Sequence, residues 1–218
     1  MTRHVYMFMD DDRRPIGQSS EISIDRDLWP KLYGGLPLTE TEKTSICTGT
    51  QLYQASSKAD GVPPDFFGNP GTLMTVSRAF RDMTDELEPR LHEFLPDDVV
   101  WKHSGNSAGE YFRFLCTATV EDPFDYDRTR WQNSTDGGYG REAARKSAYH
   151  PKRDPKAEAF VHGGIIGERH LFRAMTPALV KPVLCSQTFA DFLKSRKRPG
   201  VALKKIQVIE PQVVQGPW

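Results

Sequence analysis

Six histidines, three cysteines and a run of three aspartates are the residues of this chain whose types could do chemistry. The histidines are His4, His92, His103, His150, His162 and His170, and none forms the HExxH pair that puts two zinc ligands on one helix face. His162, Glu168, Arg169 and His170 flank the turn Gly163-Gly164-Ile165-Ile166-Gly167. They would describe an enzyme of unfamiliar type only if that turn gathered them into one deep pocket. Its three glycines do not follow the GxGxxG spacing of a dinucleotide cradle, and the chain has no Walker-type glycine–lysine loop. Asp10, Asp11 and Asp12 could interest a hard divalent cation. Successive residues of an extended chain point to alternate sides, however, so a solvated turn, or a contact with a basic partner surface, is the simpler expectation. Cys116 beside a histidine would make a nucleophile pair only in an accessible, electropositive setting. It lies instead in the apolar run Tyr111–Val120, and both Cys116 and Cys185 read as small buried hydrophobes. The third cysteine, Cys47, is distant, and no CxxC or GxSxG motif occurs. The reading is therefore of no catalytic residue, no metal ligand set and no cofactor.

Composition narrows the class further. Lysine plus arginine and aspartate plus glutamate each number 29, so a nucleic-acid partner, which rewards a basic excess, is not expected. Charged residues make up 27% and apolar residues 38% of 218, which suits a globular chain with a polar surface. That length buries enough apolar surface to need no disulfide or metal staple. The apolar stretch at Val5–Met9 is too short for a signal peptide, and no window approaches a membrane helix. The expectation is a cytoplasmic protein with no membrane partner.

The elements that must position these residues can be read from pattern. Val5–Met9 is a strand ending in a charged turn, and Ile22–Leu32 holds a short strand with a turn of helix. Between Gly34 and Pro64 only Ser45–Tyr53 offers a strand. Thr72–Val76 then reads as a buried strand, Ser77 as a helix cap, and Phe80, Met83, Thr84 and Leu87 as a helix stripe. Pro89 stops that helix and Leu91–Leu95 returns as a strand. The same order recurs near the C-terminus: Pro182–Cys185, Ser186 as cap, Phe189, Phe192 and Leu193 as stripe, Pro199-Gly200 as stop, and Val201–Ile209. Between the two units Tyr111–Val120 reads as one central strand. Trp131–Ala159, rich in glycine, asparagine, serine, arginine and lysine, reads as a long surface excursion.

These units carry a resemblance. Asp65-Phe66-Phe67, Val76-Ser77-x-x-Phe80, Glu88-Pro89-x-x-His92-x-Phe94-x-Pro96, the Tyr111–Thr119 strand, Arg169-His170-Leu171-Phe172-Arg173 and Ser186-x-x-Phe189 together resemble the immunity protein 11 family of bacterial polymorphic toxin systems. The likeness runs over about Phe66–Ile209, leaving aside the excursion and the segment up to Pro64. It implies a non-enzymatic protein that binds the toxin domain of a cognate secreted effector and blocks its active site. It carries no catalytic residue to transfer.

The expected fold is a single α/β (α+β) domain spanning residues 1–218. A mixed, mainly antiparallel sheet would carry at least two helices, at Ser77–Glu88 and Ser186–Lys197. Residues 1–64 would form an N-terminal subregion and 131–159 a surface insertion. Candidate toxin-binding residues are Asp10, Asp11, Asp12, Tyr126, Trp131, Tyr139, Arg141 and Tyr149. Aromatic and arginine side chains dominate interface energies, although Tyr126 and Trp131 could equally pack back onto the sheet. A structural adaptor is the other non-enzymatic alternative, and a homodimer is left open.

Overall fold

Two strand–helix–strand units, each with a third strand slipped between its two parallel strands, organise the chain. The computed structural model describes residues 3–9, 17–20, 26–34, 36–47, 51–54, 63–68, 74–101, 103–132, 150–151, 157–176, 181–197 and 200–210. In the first unit β4 (Phe66–Gly68) pairs with β5 (Met74–Ser77), and α3 (Arg78–Leu87) leads to β6 (Glu93–Asp97). Strand β8 (Tyr111–Leu115) lies antiparallel between β5 and β6, giving the order β4-β5-β8-β6. In the second unit β13 (Leu171–Met175) pairs with β14 (Val183–Ser186), and α5 (Gln187–Ser195) leads to β15 (Ala202–Ile209). There the inserted antiparallel strand is β1 (His4–Met9), from the other end of the chain, and the order is β13-β14-β1-β15. The recurrence read in the sequence is thus a recurrence of topology as well.

Capping fixes both helices in the same way. Ser77 Oγ accepts the N–H of Phe80, and Ser186 Oγ accepts the N–H of Phe189, both at 3.3 Å. Both expected helices are present and end two residues or fewer from where the sequence placed them. After each helix a proline precedes a left-handed residue, Arg90 at φ 59° and Gly200 at φ 78°.

β1 reads apolar throughout because both of its faces are buried. Tyr6 and Phe8 join a core shared by the two units, with Phe66, Phe80, Phe114 and Phe189. Helices α3 and α5 meet there, with the Phe80 and Phe189 rings 5.0 Å apart and edge to face. Val5 and Met7 face a second core on the other side. That core exists because the second unit's sheet is longer and curls. β12 (Phe160–His162) adds in parallel beside β15, and β9 (Thr119–Glu121) adds in parallel beside β13. The chain leaving β9 then reaches the opposite edge. Phe124 bridges Val161, His162 N–H donates to Pro123 O at 2.9 Å, and Asp125 N–H to Phe160 O at 3.0 Å. The two edges meet around an apolar interior that includes Phe124, Phe172, Leu184 and Ile206.

Two expectations are corrected. Tyr111–Val120 is two strands, not one: β8 and β9 lie in different sheets, and the chain crosses between them at Cys116–Ala118. Residues 45–53 are not one strand, because helix α2 (Glu40–Cys47) occupies the first part and β3 (Gln51–Gln54) only the last. The helix is held by a capping box, with Thr39 N–H donating to Glu42 Oε2 at 2.8 Å and Glu42 N–H to Thr39 Oγ1 at 3.3 Å. The turn of helix expected within residues 22–32 is present, a 3-10 turn at Arg26–Leu28 running into α1 (Trp29–Gly34), and residues 22–25, where the short strand would fall, lie outside the described residues. α1 and α2 bury Leu28, Leu32 and Ile46 with Leu115 on the back of the four-stranded sheet.

The remaining elements are small. β2 (Gly17–Ser20) and β7 (Val99–Trp101) flank β3, and β10 (Trp131–Gln132) pairs with β11 (His150–Pro151). The short helix α4 (Gly163–Ile166) follows β12. The fold is a mixed α+β single domain, as expected, and most of its strand pairs are antiparallel. Among the described residues no helix is long and apolar enough to cross a membrane.

Candidate interaction surface and the buried polar joints

The segment after β9 is tied down by local hydrogen bonds. Asp125 Oδ1 caps the turn that follows it, accepting the N–H groups of Asp127 and Arg128. Thr129 Oγ1 both donates to Phe160 O and accepts Phe160 N–H, and Arg130 N–H donates to Glu158 O. Beyond this point β10 and β11 pair antiparallel, Trp131 opposite Pro151 and Gln132 opposite His150. The pairing sets Trp131–Gln132 and His150–Pro151 side by side.

Of the candidate toxin-binding residues, Tyr126 is settled by burial. It is 5% exposed and forms part of the core inside the curled sheet, so it packs back onto the sheet and offers no surface ring. Trp131 sits on the paired stem by its backbone. Asp10, Asp11, Asp12, Tyr139, Arg141 and Tyr149 lie outside the described residues. Cys116 and Cys185 are buried free thiols, as the sequence suggested.

The four residues weighed as an enzyme site do not close around a cavity. Glu168 stands in solvent with its side chain 99% exposed, and Arg169 is exposed as well. His162 stands at the N-cap of α4 and makes no side-chain capping bond to it. The His170 ring turns onto Ser186, with Nδ1 and Oγ 2.9 Å apart. Among the described residues no group of three or more histidine, cysteine, aspartate or glutamate side chains could hold a metal ion.

What the sequence reading missed is a pair of polar joints at equivalent places in the two units. In the first, Ser77 Oγ donates to Asp65 Oδ1 at 2.6 Å, and Ser77 N–H donates to Asp65 O. Arg196, at the end of α5 in the other unit, grips the same carboxylate through Nε at 2.8 Å and Nη2 at 3.1 Å. In the second, His170 takes the place of Asp65: Ser186 N–H donates to His170 O, and the ring meets Ser186 Oγ. Glu88, at the end of α3, crosses over and accepts the N–H groups of His170 at 2.7 Å and Leu171 at 3.0 Å. Each helix end thus fastens the opposite unit. The Ser186–His170 pair thus stands at the start of α5 where the Ser77–Asp65 pair stands at the start of α3. A signal was available: Asp65 and His170 each stand directly before a Phe- or Leu-led strand and upstream of a capping serine.

Glu88 also holds His92, whose Nε2 lies 3.1 Å from Glu88 Oε2. Burial disfavours the charge on His92, but its contacts with the Cys116 thiol and the Glu88 carboxylate outweigh that and raise it to about 9. Burial likewise opposes the charge on Glu88. The bonds from His92, His170 and Leu171 prevail and hold it below the usual carboxylate range.

A third buried polar set sits on the back of β8. Arg113 and Asp97, each with a side chain 1% exposed, are 3.0 Å apart, and Thr75 Oγ1 donates to Asp97 Oδ2 at 2.8 Å. These groups link β5, β8 and β6 and are closed to solvent.

Among the described residues the two units are cross-braced by the Asp65–Arg196 and Glu88–His170 joints, and β10 and β11 pair as a short stem. The model of the Immunity protein family (Imm11) matches residues 15–208, and the chain belongs to that family, which places it in toxin immunity in general. The match takes in most of the segment before Phe66 and all of the excursion, beyond where the motifs alone could be followed. None of the curated proteins compared with the chain matches it.

Proposed function

We propose that this protein binds the toxin domain of a cognate secreted effector one to one in the cytoplasm and blocks its active site. The observation that carries this reading is the family match over residues 15–208. The stem supports it: the pairing of Trp131–Gln132 with His150–Pro151 fixes the two ends of the segment between them, which lowers the ordering cost of binding. We assign recognition to the 131–159 insertion, through Trp131, Tyr139, Arg141 and Tyr149, and to the Asp10–Asp12 turn. The aspartates would serve where the toxin cleft is basic.

The test is co-expression with the toxin domain encoded beside this protein. Growth should be restored, and calorimetry on the purified pair should give one toxin per chain. Killing that continues while both proteins are soluble would reject the reading. A substoichiometric effect would replace inhibition by catalysis.

A further inference from the structure

Among the described residues three large apolar side chains are exposed: Leu36, Leu91 and Ile165. Single exposed apolar residues are ordinary on a protein surface, but two of these three belong to one place. Leu36, 55% exposed, forms a lip of a cleft between the α1–α2 layer and the crossing from β8 to β9. The lip is held in place, because Leu36 N–H donates to Lys31 O at 2.9 Å. Leu32, Leu38 and Leu115 make the wall apolar. Thr117, also in the lining, donates its hydroxyl to the Leu91 carbonyl, which ties the Leu91 backbone to the same rim. The charged part of the lining is cationic. Arg173 brings a guanidinium that is 1% exposed, and Lys31 an ammonium that Glu42 holds at 2.7 and 2.9 Å. Among the described residues no acid lines the cleft, and exposed Arg90 precedes Leu91 in the chain. With its open mouth the cleft encloses about 210 Å³, short of the ~300–1,000 Å³ usual for small-molecule sites. It suits one side chain of a larger partner, ringed by apolar neighbours as interface anchors are.

We propose that this cleft is a contact site for the toxin domain, taking one apolar side chain with a carboxylate beside it. The inference rests on the toxin-binding reading above and adds a second anchor to it. The apolar side chain leaves water for the leucine wall, which is where its binding energy comes from. The carboxylate faces the positive charge of Arg173 and Arg90, since Lys31 is already answered by Glu42. Complementary charge of this kind fixes which partner is accepted, and it weakens as salt rises.

The experiment measures binding of the toxin domain encoded beside this protein to the full chain by calorimetry. Leu36→Glu and Leu91→Glu alter exposed side chains, so both variants should fold, and each should weaken binding at least about tenfold. Leu36→Lys removes the same apolar group but brings the opposite charge, and it should lose less than Leu36→Glu. Should a glutamate variant fail to fold, the serine variant at that position takes its place, with a smaller loss of the same sign expected. Folded variants at Leu36 and Leu91 that bind as tightly as the unaltered chain would overturn the proposal and leave the toxin-binding reading standing. Equal losses in Leu36→Glu and Leu36→Lys would overturn the carboxylate on the partner. No binding by the unaltered chain would bring down the reading itself, and this inference with it. Sedimentation of the chain alone supplies the last arm: a dimer that Leu36→Glu dissociates would give the cleft to a second copy and overturn the assignment to the toxin.

Discussion

Arg196 and Asp65 are 131 residues apart in sequence, yet the guanidinium closes on the carboxylate with two hydrogen bonds of 2.8 and 3.1 Å. Asp65 is simultaneously the acceptor for the cap serine of α3, so one carboxylate ties a helix start to the end of the other unit's helix. Arg196→Ala is expected to lower stability by about 1–2 kcal/mol, the modest value reflecting its 40% exposed side chain. Asp65→Ala should cost more, about 2–3 kcal/mol, because Ser77 loses its partner too. Urea melts of the two variants and the double mutant would check the order. A double mutant worse than the sum of both would contradict a shared interaction.

Stability should depend on pH through the Glu88–His92 pair, and the sign differs for its two members. Glu88 is held below its ordinary value, so its contribution is present above the unfolded carboxylate range and is lost as pH falls through the lower folded value. His92 is raised from 6.5 to about 9, so its contribution is complete below 6.5 and is lost as pH rises through about 9. The alkaline loss is on the order of 3 kcal/mol at most. Melting temperature should therefore decline between pH 6.5 and 9, and His92→Gln should flatten that decline while lowering stability at pH 6. An unchanged slope in the variant would refute the assignment.

The two left-handed turns after the helices should respond oppositely to glycine chemistry. At Gly200 a Cβ would lie 1.8 Å from the Phe66 carbonyl oxygen, with φ at 78°, so Gly200→Ala meets both a clash and backbone strain. A loss of about 2–4 kcal/mol is expected. At Arg90 the φ of 59° is held by a residue with a Cβ, so Arg90→Gly should raise stability by up to about 1 kcal/mol. Thermal unfolding of each decides.

Asp97 and Arg113 form a buried ion pair, and breaking it should be costlier than replacing it. Asp97→Ala leaves a guanidinium uncompensated at 1% exposure and should cost about 3–5 kcal/mol. The double variant Asp97→Leu, Arg113→Met should recover most of that loss. Failure of the double variant to improve on Asp97→Ala would mean that the pair's geometry, and not its charge balance, aligns the strands.

Tyr126 and the proposed recognition residues should separate cleanly in function. Tyr126→Ala removes a ring from the interior of the curled sheet and should cost about 3–4 kcal/mol of stability. Trp131→Ala and Tyr149→Ala are expected to leave the melting temperature within about 1 °C and to weaken toxin binding at least tenfold. Binding unaffected by both would move the recognition surface elsewhere.

Local chemistry was legible in the sequence wherever one segment decides its own state. Ser77 and Ser186 announced helix starts because a hydroxyl at that position satisfies a backbone donor whatever surrounds it. The stripes Phe80–Leu87 and Phe189–Leu193 announced which face is buried, and the continuous Val5–Phe8 run announced a strand covered on both sides. The short motifs from Asp65 to Phe189 were enough to suggest the family. Only the tertiary structure decided that β1 completes the C-terminal unit and that Tyr111–Val120 divides between two sheets at Cys116. It also decided that Arg196 and Glu88 each reach across to the other unit and that Tyr126 faces inward. The physical reason is that pairing of strands, closure of a curled sheet and partnering of buried charges depend on which distant segments arrive. An apolar alternation or a lone arginine looks the same in sequence whether its partner lies four residues away or 131.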